Sequence, residues 1–199
     1  MLINISLFSD MWYILAKEVD EMYRIESAEL KDVDIILDCK LDIIFNSDEI
    51  TQIEKSDMEK VVNCCEEEIR ENIKDYKMVY EQEDLVAIYA TSDYNDGILI
   101  DTLYVMPDSR KSGVASNLIN GIISQNFKPL YVWIYKNNDV ALHLYKKYNF
   151  NIEEETEYRY FMKNVNEKES NNSIKLKMFQ DEVMLLAKKY NVNYELIVK

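Results

Sequence analysis

The chain has 199 residues, of which 48% are apolar, and this is enough for one domain with a sizeable core. Its formal net charge of −14 disfavours nucleic acid as a partner and favours a cationic one. No run of apolar residues is long enough to predict a membrane-spanning helix, and the apolar start Met1–Phe8 has no basic residue before Asp10, so no signal peptide is expected. Three cysteines, Cys39, Cys64 and Cys65, and one histidine, His143, make neither a disulfide framework nor a zinc-ligand spacing. A reducing, cytoplasmic setting without a metal fits this composition.

The first 21 residues are read as an apolar segment and a helix, with Trp12, Leu15, Ala16 and Val19 on one face. Residues 22–27 alternate as a strand. Asp32 to about Phe45 has helical spacing through Val33, Ile36, Leu37 and Leu41, and Asn46-Ser47-Asp48 is a turn. Ser56, with Glu59 three residues on, predicts a capped helix start. The helix that follows carries Met58, Val61, Val62, Cys65, Ile69 and Ile73 at helical spacing. Lys77–Tyr80 and Leu85–Ala90 read as strands, and Asp93–Gly97 as the loop that turns the chain into a strand over Ile98–Val105.

Glycine and proline are scarce, three and two in the whole chain. One of each falls in Val105-Met106-Pro107-Asp108-Ser109-Arg110-Lys111-Ser112-Gly113-Val114-Ala115, between a strand and an apolar helix. A glycine at the mouth of a helix lets backbone N–H groups approach an anion, so this stretch predicts a phosphate-binding turn. Val114, Leu118, Ile119, Ile122 and Ile123 then share a helix face. Leu130–Tyr135 is a strand, Asn137–Tyr148 a helix, and Ile152–Met162 one or two strands. Asn164–Ser173 reads as a polar linker to a last helix, about Lys177–Tyr190, and a strand-like tail ends the chain.

Arg110-Lys111-Ser112-Gly113-Val114-Ala115 matches the pattern Gln/Arg-x-x-Gly-x-Gly/Ala. Asn138-Asp139-Val140-Ala141-Leu142-His143-Leu144-Tyr145 through Phe150 resembles Asn-x-x-Ala-x-x-Leu-Tyr-x-x-x-Gly-Phe, at the distance expected for an intervening helix and strand. Together these segments resemble the GNAT superfamily of N-acetyltransferases over residues 22–163. Residues 1–21 would then be an N-terminal extension, and 164–199 a linker and C-terminal helical extension that docks on the core or on a second subunit. The chain departs from the pattern at Asn149, where the family usually has glycine. Asn tolerates a positive φ better than other residues, so the turn is expected to survive.

The resemblance implies an α/β (α+β mixed) fold, with a central, mostly antiparallel sheet, a splayed parallel pair near Val105 and Leu130, and flanking helices. It implies acetyl-CoA as acyl donor, held by the backbone from Arg110 through Lys111, Ser112, Gly113 and Val114 to Ala115. The backbones of Leu103 and Val105 would face the pantetheine, and Asn138 would contact that arm or cap its helix. Tyr145 stands where the family places the proton donor to the leaving thiolate. The acceptor would be a primary amine, attacking directly. The acidic chain points to a small cationic molecule, with a peptide as the other acceptor class, and the first helices with the loop near Phe45–Ile50 would form its site. Asp101, Tyr104 and Glu81 are open choices for the base. His143 reads as a surface residue, Cys65 as core, and the runs Glu66–Glu68 and Glu153–Glu155 as solvated faces. A second reading is a non-catalytic module of the same fold that binds acyl-CoA or a protein partner.

Overall fold

The computed structural model describes residues 22–47, 57–126 and 128–164. The terminal extensions, the N-cap at Ser56 and the stretch after Ser47 lie outside these residues. No helix among the described residues is long and apolar enough to cross a membrane.

The chain runs through β1 (Arg24–Ser27), α1 (Val33–Phe45), α2 (Met58–Glu71), β2 (Tyr76–Glu81), β3 (Asp84–Tyr94) and β4 (Gly97–Val105). It continues through α3 (Val114–Gln125), β5 (Leu130–Tyr135), α4 (Asp139–Lys147), β6 (Asn151–Glu155) and β7 (Arg159–Asn164). The strands form one sheet in the order β1-β2-β3-β4-β5-β7-β6. Every neighbouring pair is antiparallel except β4 with β5. The mixed sheet, the single parallel pair and the flanking helices are as expected.

Alternation along the strands separates two cores. Met78, Ile88, Ala90 and Tyr104 pack with Val33, Ile36 and Cys39 of α1 and Ile69 of α2. On the other face, Ile100, Val132, Ile134 and Met162 join Ile119 and Ile122 of α3 and Tyr145 of α4. Val79 and Ala87 join Val114 and Leu118 of α3. Burying each valine, leucine, isoleucine or methionine among them contributes roughly 1.5–3 kcal/mol against leaving it exposed. The edge strand β6 is exposed along its whole length, and Glu153–Glu155 there guard it against strand addition.

Three boundaries differ from the sequence reading. Gly97 is not loop: β3 runs on to Tyr94, Asn95 (φ 48°) and Asp96 make the turn, and Gly97 opens β4. A Cβ on Gly97 would lie 2.2 Å from the Pro129 carbonyl oxygen, so this glycine answers to a close approach of backbones. Ile73 lies beyond α2, because the Asn72 side chain donates to the Glu68 carbonyl at 3.0 Å and ends the helix. Asn164 is the buried last residue of β7 rather than the head of a polar linker; its amide nitrogen donates to the Tyr148 carbonyl at 2.6 Å.

Candidate active site

β4 positions the site through a bulge and a parting. Ala90 pairs with Thr102 and Thr91 with Ile100, so Asp101 is the extra residue of a β-bulge. The bulge breaks the simple parity that would group Asp101 with Leu103 and Val105. Leu103 and Val105 pack toward α3, whereas Asp101 bonds Ser92 at 2.5 Å and feels the charges of Lys40 on α1 and Glu68 on α2. Burial raises its carboxyl pKa, partly offset by the Ser92 hydrogen bond.

β4 and β5 are paired only at Ile98 with Leu130, Leu99 with Tyr131, and Ile100 with Val132. Beyond these pairs β4 stays on β3 and β5 stays on β7, so the two strands part. The Met106 N–H donates to the Val86 carbonyl on β3. By strand alternation, Leu103 and Val105 therefore turn their own N–H and C=O groups into the gap.

The turn after β4 closes tightly. Pro107–Ser109 is a single 3-10 turn, the Ser112 hydroxyl donates to the Ser109 carbonyl at 2.7 Å, and Lys111 (φ 64°) and Gly113 (φ 97°) are left-handed. Holding Lys111 there costs about 1–2 kcal/mol, which the tight turn absorbs. Among the described residues, no acceptor meets the N–H groups of Lys111, Ser112, Gly113, Val114, Ala115 and Ser116. They lie at the N-terminal end of α3, where the helix dipole is positive. A Cβ on Gly113 would meet nothing within 4 Å among the described residues, so space is open beside this glycine. The Val114 side chain is core, which leaves its backbone to the turn.

Tyr145 is 4% exposed and stacks edge-on against Phe150 at 5.1 Å. It shares a core cluster with Ile100 and Val132, the last paired positions before the gap. Its hydroxyl has no protein partner among the described residues and is not among the fully buried unpaired polar atoms. Burial alone pushes the phenol pKa well up, so it stays protonated. Asn138 caps α4: its Oδ1 accepts from the Ala141 N–H at 3.0 Å. The Tyr148 hydroxyl donates to the Ser116 carbonyl at 3.0 Å and ties α4 to the first turn of α3. Asn149 has φ 61°, the left-handed turn its place in the pattern calls for.

One cluster was not legible in the sequence. The Tyr104 hydroxyl donates to Asp42 Oδ2 at 2.8 Å, and Arg110 Nη2 reaches the same oxygen at 3.5 Å. Arg110 Nε donates to the Val105 carbonyl at 3.1 Å, and its guanidinium lies 5.3 Å from the Tyr104 ring centroid. Burial, then Asp42, pushes Tyr104 up to about 12. Burial, with Asp38 and Asp42, lifts the Cys39 thiol to about 11. Glu81 is exposed at the β2–β3 turn, and His143 is exposed on α4. Among the described residues no three His, Cys, Asp or Glu side chains are grouped to hold a metal ion.

The fold has relatives among solved structures. It aligns with an N-acetyltransferase from Staphylococcus aureus at TM-score 0.56 and 14% identity, covering 71% of this chain and 100% of that one. The PaiA N-acetyltransferase of Thermoplasma acidophilum, solved with coenzyme A, aligns at 0.57 and 12%, covering 71% and 97%. The spermidine N-acetyltransferase of Vibrio cholerae, solved with CoA and spermine, aligns at 0.54 and 18%, covering 75% and 98%. At these identities the likeness is one of fold. No curated protein sequence matches the chain. Residues 47–150, which hold the bulged strand, the glycine turn and α4, match the profile described as the Acetyltransferase (GNAT) family, and the chain belongs to that family.

Proposed function

We propose that the protein transfers an acetyl group from acetyl-CoA to a primary amine of a small cationic molecule. The observation that carries this reading is the gap between β4 and β5, which ends on a turn where, among the described residues, six N–H groups at the start of α3 meet no acceptor. These donors suit a diphosphate, and the open surface at Gly113 leaves room for one. The main chain of Leu103 and Val105 suits the amides of an extended pantetheine arm, as an added strand would.

When bound, acetyl-CoA supplies an acetyl thioester, whose sulfur needs a proton on leaving. Tyr145 keeps its proton at the hydroxyl because burial disfavours the phenolate. Among the described residues no acceptor meets the hydroxyl, which leaves that proton free to be given. Asn138 fixes the first turn of α4 and so sets the height of Tyr145 along the gap. Water-mediated deprotonation of the amine fits Asp101, whose raised pKa makes it a better base than an ordinary carboxylate. A cationic acceptor is supported by the net charge of −14 and by Asp34, Asp38 and Asp42 along α1. The Vibrio cholerae acetyltransferase solved with CoA and spermine, similar in fold, supports such an acceptor.

Calorimetric titration with acetyl-CoA tests the reading without knowledge of the acceptor. Micromolar binding that weakens sharply in Gly113→Val supports it. No binding of acetyl-CoA or longer acyl-CoAs would overturn it.

A further inference from the structure

We propose that Asp42 anchors a second positive charge of the acceptor, and that Arg110 holds its place until the cofactor binds. The proposal rests on the acetyltransferase reading and adds the substrate class: a linear diamine or polyamine. Asp42 lies in the last turn of α1, beside the open half of β4. Its carboxylate is built in on both oxygens. Oδ1 accepts from Asn46 Nδ2 at 3.0 Å, and Oδ2 accepts from the Tyr104 hydroxyl at 2.8 Å. The third partner, Arg110, is the loosest, at 3.5 Å with both side chains about half exposed (50% and 44%). Such a pair contributes little and exchanges easily for another cation.

Besides lying over the Tyr104 ring, the Arg110 side chain makes two polar contacts, and each competes with a ligand. Its Nε occupies the Val105 carbonyl, one of the backbone groups that face the gap. Its Nη2 occupies Asp42. A pantetheine amide on Val105 displaces the first contact, and the diphosphate at the turn draws the guanidinium toward itself. Among the described residues, Asp42 is then left with two neutral donors and no cation. The reacting amine cannot fill this position, because a carboxylate at that distance holds an amine protonated and an attacking nitrogen must be neutral. A second ammonium on the same molecule can. Cofactor and acceptor are therefore coupled through one side chain, and the coupling is reciprocal.

The test is calorimetry on the full chain with CoA and spermidine, each alone and each in the presence of the other. In the wild type, CoA is expected to tighten spermidine binding about fivefold or more. Asp42→Asn, nearly the same shape, is expected to weaken spermidine about tenfold and leave CoA affinity within about twofold. Arg110→Met is expected to tighten spermidine on the CoA-free protein, weaken CoA and abolish the coupling. Arg110→Gln, closer in polarity, should act in the same direction. A purely structural role for the cluster makes the Asp42 and Arg110 variants weaken both ligands together. Unchanged spermidine affinity in Asp42→Asn, weaker spermidine binding in both Arg110 variants, or no spermidine binding to the CoA-loaded wild type overturns the proposal. Failure of the wild type to bind CoA instead overturns the acetyltransferase reading itself.

Discussion

The two halves of β4 face the same neighbour under opposite conditions. From Gly97 to Ile100 the strand is closed against β5, and the backbones approach so nearly that a Cβ on Gly97 would overlap the Pro129 carbonyl. From Leu103 to Val105 the neighbour has gone, and main-chain groups look into a gap. The bulge at Asp101 separates the halves. Each half ends near a glycine, and the two glycines have different reasons. Gly97 lacks room for a side chain, whereas Gly113 has room and instead needs its φ of 97°. One half holds the sheet together; the other leaves backbone hydrogen bonds unmade so that a ligand can make them.

Substitutions separate the halves. Gly97→Val drives a branched side chain into the Pro129 and Tyr131 atoms and should cost about 3 kcal/mol or more, seen as a fall in Tm of roughly 6–12 °C. Gly113→Val should cost only about 1–2 kcal/mol of stability, from its left-handed backbone, while CoA affinity measured by calorimetry falls more than about tenfold. Equal losses of stability at the two glycines would mean that the two halves of β4 do not differ in this way.

Tyr145→Phe sharpens the comparison from inside the core. No hydrogen bond among the described residues is lost, so chemical denaturation should shift by less than about 1 kcal/mol. With saturating substrates, kcat should drop about a hundredfold; an unchanged kcat removes Tyr145 from the chemistry. The smallest effect is expected from Asn138→Ala, which loses the cap on α4 at a cost of about 1 kcal/mol. Its kcat should fall only modestly, through the position of Tyr145, and a loss as deep as that of Tyr145→Phe would mean that Asn138 touches substrate.

The legible part of the fold was the part written in local backbone chemistry. Leu130–Tyr135, a β-rich apolar run after a proline, is a strand to the residue. Asn138 caps its helix, and Asn149 takes the positive φ that the glycine pattern asks for. The Arg110–Ala115 turn sits at the start of α3; the Arg110 N–H donates to the Pro107 carbonyl at 3.3 Å, and among the described residues the N–H groups of Lys111 to Ala115 meet no acceptor. The loop assignment at Gly97 missed because glycine signals both turns and close packing, and only the position of Pro129 tells which.

The sequence by itself determined the order of elements, the glycine turn, the capped helix that carries Tyr145, and through them the family. Each of these depends on side chains within a few residues of the backbone they shape. Only the tertiary structure decided where the bulge falls, which way Asp101 turns, and how far β4 and β5 stay paired. It alone brought Asp42 to Tyr104 and to Arg110, 62 and 68 residues away along the chain. Such meetings are set by strand register and helix packing, which the cores of α1 and α3 impose on the sheet together, and no local pattern encodes them.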